Sequence, residues 1–388
     1  YHSLSPATQA DGDGLAAYQP SWYGDAQTYA STDLISALGA LGVYDSVAGN
    51  LSRLQSVRWA QTHTPPGGAS QLLRRVSNSD EFRNSLLYFM LYDPGVAAAS
   101  DPRTQIPLEH FAPGLNRLLA RTGWDANASW FSYSLSWSLI DHQHANGNHF
   151  EWYRKGEWLT KQRTGYADIA EGIASSEFSN VLAIENDKPD RDATDWRIDL
   201  WQRGAQWNLV AAGDPQLLAR SSSDVFSYAS GDATPLYNSS NENTNDVLHA
   251  SRSIVWLKPD AVVVFDRAQT KTANRFKRWW LQSASPASVN GSNATITTAL
   301  GQQLVVSSLL PSGATLSAVN TREEHIENTV AGYEPMKVRL RIDAPGNPAD
   351  VRFLQVLQAA DAGASVSPAQ LIQTADATWQ GAQVGTAV

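Results

Sequence analysis

Between Ala128 and Leu139 apolar and polar positions alternate: Phe131, Tyr133, Leu135 and Trp137 are spaced by serines. A period of two predicts a strand with two unlike faces. Upstream the spacing is helical. Leu34, Ile35, Leu38 and Leu41 share one face and predict a helix over 26–41, with Gly42 as its stop. Further helices are expected over 47–61, 70–75 and 80–92; Phe82, Leu86, Leu87 and Met90 line one side of the last. Residues 1–20, with Asp11-Gly12-Asp13-Gly14 and Pro20, read as loop. Residues 114–121 read as a short helix.

Downstream of 128, strands dominate. They are expected at 178–184, 195–200, 206–210, 278–281, 294–297, 303–309, 337–342 and 351–358. The clearest hairpin is Ser253–Asp266, two β-branched runs around Lys258-Pro259-Asp260. Residues 359–388 read as a loose last strand and tail. The pattern predicts an α+β chain: a helical piece, 1–110, then a large antiparallel β domain, 111–388. About five helices are too few to close a toroid.

Composition narrows the functional classes. The chain of 388 residues carries 14 Trp and 13 Tyr, which suit a large β core and also the stacking of sugar rings. A net charge of −9 argues against a nucleic-acid partner. With no Cys, disulfides and thiolate metal sites are excluded. No apolar run is long enough to span a bilayer, so no membrane partner is expected. No signal peptide is visible, and the start at Tyr1 reads as a mature or truncated form. The absence of Cys fits a secreted or periplasmic protein.

The segment 141–159, Asp-His-Gln-His-Ala-Asn-Gly-Asn-His-Phe-Glu-Trp-Tyr-Arg-Lys-Gly-Glu-Trp-Leu, holds three of the eight histidines within nine residues. As a strand it places His142, His144, Asn146 and Asn148 on one face, unless Gly147 makes a bulge, and His149 on the other. Two His and two Asn make a poor core and a good polar cleft.

This segment resembles the signature of the heparinase II/III-like polysaccharide lyases. Leu119-Ala-Arg-Thr-Gly-Trp124, Ser179-Asn-Val-Leu182 and the 255–266 hairpin agree in order, and the run from Asp11-Gly12 to Asp33-Leu34 resembles the stretch that carries the family's Tyr. The resemblance implies a partial (α/α) toroid followed by a β-sandwich domain, with a cleft between them, and β-elimination on uronic-acid polysaccharides. That reaction needs a group to neutralise the carboxylate, a base for the C5 proton and an acid for the leaving oxygen.

Carried over residue by residue, the resemblance makes His142 and Tyr23 the catalytic pair. It makes His144 a candidate zinc ligand, although no carboxylate stands at 161 or 162 and Ser179 replaces the expected histidine. Asp168, Glu171 and Glu177 are the substitutes at hand, and no other cofactor is required. Arg121, His144, Asn146, Asn148, Trp152 and Arg154 are candidate substrate contacts, Arg because its guanidinium pairs with a carboxylate in two places. Lys161, Arg163 and Arg252 are further basic candidates. The partner expected is an acidic polysaccharide or oligosaccharide. The family's upstream helices are expected before Tyr1 or on a second chain. The alternatives are a non-catalytic glycan-binding protein and a metal-dependent glycan hydrolase.

Overall fold

A computed structural model of the chain describes residues 1–10, 14–21, 34–68, 95–135, 144–163, 174–206, 213–319 and 336–387. The helices expected over 70–75 and 80–92 lie outside these residues, as do Tyr23, His142, Asp168 and Glu171. The chain divides into two units: Tyr1–Ser21, Thr28–Glu109 and Gly123–Ala128 form one, and the rest forms the other.

In the first unit, β1 (Leu4–Ala10) pairs antiparallel with β2 (Ala16–Pro20). The reading of 1–20 as loop is therefore corrected. Leu4, Ala17 and Tyr18 are buried, and this apolar side outweighs the Pro and Gly punctuation. Helix α1 (Leu34–Val47) runs past the expected stop at Gly42, and α2 (Leu51–His63) follows. Asn50 sets the boundary: its side chain accepts the Arg53 N–H at 3.2 Å, an N-cap. Arg103 gathers this unit. Its guanidinium lies 5.4, 5.0 and 5.6 Å from the rings of Tyr18, Trp59 and Trp124 and pairs with Asp101.

The second unit opens with a five-stranded antiparallel sheet: β3 (Glu109–Ala112), β4 (Arg117–Arg121), β5 (Ser129–Ser134), β6 (His149–Arg154) and β7 (Glu157–Thr160). The helix expected over 114–121 is instead the β3–β4 turn and strand, with Asn116 at φ 45° making the reversal. After β8 (Leu182–Ile184) comes helix α3 (Trp196–Gln202), where a strand was expected. Asp195 decides this, because its carboxylate accepts the Arg197 N–H at 2.9 Å and caps the first turn.

Next come β9 (Gln216–Ser222), β10 (Phe226–Asp232), the one-turn helix α4 (Thr234–Tyr237), β11 (Val247–Leu257) and β12 (Ala261–Thr270). Then β13 (Lys277–Ser283), β14 (Ser288–Asn290), β15 (Asn293–Thr297), β16 (Gln302–Leu310) and β17 (Thr315–Val319) follow. The chain closes with β18 (Val338–Asp343), β19 (Asp350–Asp361) and a terminal hairpin, β20 (Ala369–Gln373) and β21 (Gln380–Val384), where a loose strand and tail was expected. Eight strands make one sheet in the order β14-β15-β16-β19-β12-β11-β10-β9, and β17-β18-β13-β8 make another.

These sheets share one core. Leu118, Phe131, Phe150 and Trp152 of the five-stranded sheet meet Trp256, Val264 and Leu357 of the large one, with Leu182, Trp279 and Leu340 from the third. Phe131 and Trp256 stack with centroids 5.6 Å apart. Each such burial contributes about 1.5–3 kcal/mol. The protein is thus mostly β, a sandwich. The expected (α/α) toroid is not present among the described residues, which hold four α-helices. None of these is long and apolar enough to cross a membrane.

Candidate functional site

Residues 144–148 do not continue the strand, so the shared face expected for His144, Asn146 and Asn148 is corrected. They form a turn, and β6 begins at His149. The Ala145 N–H donates to the Ala174 carbonyl at 2.8 Å, and the His149 N–H returns to the Asn146 carbonyl at 3.1 Å. Asn148 sits at φ 66°, a conformation Asn tolerates better than most residues. A Cβ at Gly147 would lie 2.2 Å from Leu236 Cδ1 and 3.0 Å from Gln206 Oε1, so only glycine fits.

The three polar side chains of the turn have tertiary partners. Asn148 Oδ1 accepts from the Tyr133 hydroxyl at 2.6 Å, and its amide donates to the Gly231 carbonyl at 3.1 Å. Its side chain therefore holds the fold. Gln162 lies between the other two side chains: Asn146 Nδ2 donates to Gln162 Oε1 at 3.4 Å, and Gln162 Nε2 lies 2.9 Å from His144 Nδ1. With the Gln162 amide so oriented, His144 accepts at Nδ1 and carries its proton on Nε2.

Zinc is tested by its donors. Among the described residues no group of three His, Cys, Asp or Glu side chains could hold a metal. Around His144 stand two neutral amides, and one of them already engages Nδ1. Glu177, a candidate substitute, is instead paired with Arg203 and with Arg339. Among the described residues, His144 and its neighbours do not make a zinc site by themselves.

The five-stranded sheet has two different faces. Cross-strand pairs put Arg117, Ser134 and His149 on one face, with Leu119, Ser132 and Glu151 on the same side, then Arg121, Trp130 and Tyr153. The polar half of this face adjoins the turn. His149 Nδ1 accepts the Asn180 N–H at 3.0 Å, and its Nε2 lies 3.8 Å from Glu151 Oε1. Burial holds the His149 pKa below its ordinary value. Burial pushes Glu151 up, but the His149 imidazole and the charges of Arg117 and Lys161 outweigh it, so its carboxyl is held below the usual range. Ser132 donates to Glu151 Oε2 at 3.1 Å, and Arg117 Nη2 lies 3.8 Å from it.

The candidates predicted from sequence separate accordingly. His144, Asn146 and Asn148 come together in the turn. Arg121 shares the polar face but stacks over Trp130, 5.5 Å from its centroid, four residues along β4 from Arg117, or about 13 Å. Trp152 and Arg154 lie on the opposite face. Trp152 is fully buried in the core. Arg154 reaches away to Asp260 at 2.8 Å and Asp361 at 2.7 Å. Arg252 pairs in two places with Asp266, both at 2.7 Å, and Nη1 also donates to the Asn148 carbonyl at 2.7 Å. Sequence reasoning missed Gln162, Asn180, Glu151, Arg117 and Gln206. Alternation could have found Glu151 and Arg117, and Asn180 stands in the Ser179-Asn-Val-Leu182 stretch; nothing local marks Gln162 or Gln206.

The fold has solved counterparts. A heparan sulfate lyase from Pedobacter heparinus matches at TM-score 0.61 and 12% identity, over 95% of this chain and 49% of its own. A heparinase III matches at TM-score 0.61 and 12% identity, over 96% of this chain and 49% of its own. Another heparinase III, with methylated lysines, matches at TM-score 0.63 and 8% identity, over 95% and 48%. The chain spans about half the length of these proteins, and the likeness is one of fold. No family model matches the chain, and neither does any curated protein.

Proposed function

We propose that the chain belongs to a lyase that cleaves a uronic-acid polysaccharide by β-elimination, at a site built around residues 142–149. The observation that carries this reading is the match of nearly the whole chain to the fold of a heparan sulfate lyase. Beside it stands a turn of imidazole and amide groups next to a sheet face bearing Arg117, Arg121, His149 and Glu151.

The chemistry suits these residue types. The C5 proton beside a carboxylate is weakly acidic, and its removal builds charge on the carboxyl group. Guanidinium or amide donors would offset that charge. His142 and Tyr23 are proposed as the acid–base pair, carried by the resemblance of their segments. His144 and Asn146 are proposed to face the sugar. Arg121 is proposed to meet the carboxylate. Asn148, whose amide is bonded at both atoms, and Trp152 and Arg154, on the opposite sheet face, are not proposed as substrate contacts. No step is routed through a metal. A polymeric substrate fits a secreted or periplasmic location.

The test is the absorbance of an unsaturated uronate product, with the complete protein, over heparan sulfate, alginate, ulvan and glucuronan. A second reading, a glycan-binding protein on a lyase scaffold, draws on the chain spanning only half of its structural counterparts. Binding without product on the same panel would favour it.

A further inference from the structure

The amide of Gln206 pairs with both backbone groups of Gly147: Oε1 accepts the Gly147 N–H at 2.8 Å, and Nε2 donates to the Gly147 carbonyl at 2.8 Å. This is the pairing a neighbouring strand would give, supplied by one side chain 59 residues away. We propose that Gln206 is a positioning residue, which sets the turn 144–148 and through it the imidazole and amide groups offered to substrate. The inference rests on the proposed function.

Three observations support it. First, Gln206 is fully buried, and its placement is built in. After α3 the chain reverses at Gly204, at φ +67°, where a Cβ would lie 2.8 Å from the Ile184 nitrogen. The Gly204 carbonyl accepts the Ile184 N–H at 2.9 Å, and the Gln206 N–H donates to Ser176 Oγ at 3.1 Å. Second, the packing around the turn leaves a small gap unfilled by any side chain. A cavity of about 10 Å³, room for about one water, borders Gly147, Asn148, Tyr237, Arg252 and Asp266. Third, the sheet hydrogen-bond ladder begins only at His149, and at Gly147 both backbone groups are held by the Gln206 side chain.

The test uses two substitutions. Gln206→Leu keeps the volume and removes both hydrogen bonds. It is expected to lower kcat about 10–100-fold with KM changed little, as for a misplaced catalytic group. Gln206→Glu distinguishes positioning from packing. A protonated carboxyl carries one donor and one acceptor and can restore both bonds, whereas the carboxylate accepts only. Among the described residues, the titratable groups at this node are the Tyr237 hydroxyl, 3.3 Å from Nε2, and the Arg252–Asp266 pair on the shared cavity. Burial pushes Tyr237 up, out of the working range.

The ratio of variant to wild-type kcat for Gln206→Glu is therefore expected to rise as pH falls, while that for Gln206→Leu stays flat. A Gln206→Leu protein with wild-type kcat, or a Gln206→Glu ratio independent of pH, overturns the inference while leaving the proposed function standing. A wild-type protein that yields no product on any acidic polysaccharide overturns both.

Discussion

The imidazole of His149 and the carboxylate of Glu151 lie on one face of β6, with Nε2 3.8 Å from Oε1, and both are buried. Because Nδ1 accepts the Asn180 N–H, the single imidazole proton sits on Nε2, toward Glu151.

A pH dependence of stability follows. Burial depresses the folded His149 pKa below the ordinary imidazole value of about 6.5. Below that pH the unfolded chain takes up a proton that the folded chain resists, so stability present above it is lost as pH falls. Glu151, also depressed from 4.5, acts in the same direction lower down. Melting temperature should hold above about pH 7 and drop below it. His149→Asn keeps an acceptor for Asn180 but does not titrate. It should make the slope shallower by up to about 1.4 kcal/mol per pH unit. A slope equal to wild type would remove His149 as the titrating group.

Gly147→Ala should destabilise the protein by about 1–3 kcal/mol, because its Cβ meets Leu236 Cδ1 at 2.2 Å. Chemical denaturation reads the change, and truncating Leu236 to Ala in the same protein should recover part of the clash. No recovery would mean that the turn, not Leu236, sets the cost.

The Arg252–Asp266 pair is buried on both sides. Asp266→Asn would strand a buried guanidinium and should cost about 3–5 kcal/mol. Replacing both partners together, Arg252→Met with Asp266→Leu, should cost less than the single change. A double variant that costs the sum of the two single changes would show that the pair is not energetically coupled.

Arg154 provides a contrast between faces. Its partners Asp260 and Asp361 are 46% and 59% exposed, so Arg154→Ala should cost only about 1 kcal/mol. Turnover and KM should stay near wild type, since the side chain points away from the turn. A large rise in KM would return Arg154 to the substrate site.

Much of the β architecture was legible in the chain. The hairpin β11–β12 shows a buried–intermediate alternation along both strands, and its pattern was plain. The serines of β5 also kept time with the strand, although both of its faces are buried, one apolar and one polar. The failures have local and tertiary causes. At α3, Ile198 and Leu200 imitate a strand period, and the Asp195 cap was passed over. At 144–148 the His-x-His-x-Asn spacing imitates a strand too. There the contacts that override it come from Gln206 and Arg252, 59 and 104 residues away, which no local pattern shows. Gly147 and Asn148 were the only nearby signs, residues suited to close approach and to positive φ.

The central claim is that residues 142–149 form the working part of a polysaccharide lyase site. The most direct measurement is the appearance of unsaturated uronate from an acidic polysaccharide by the complete protein, set beside the folded His142→Ala variant. The account predicts product from at least one member of the panel, and its loss in the variant with an unchanged melting temperature. Turnover by the variant at the wild-type rate, or no product from any member with the wild-type protein, would contradict it.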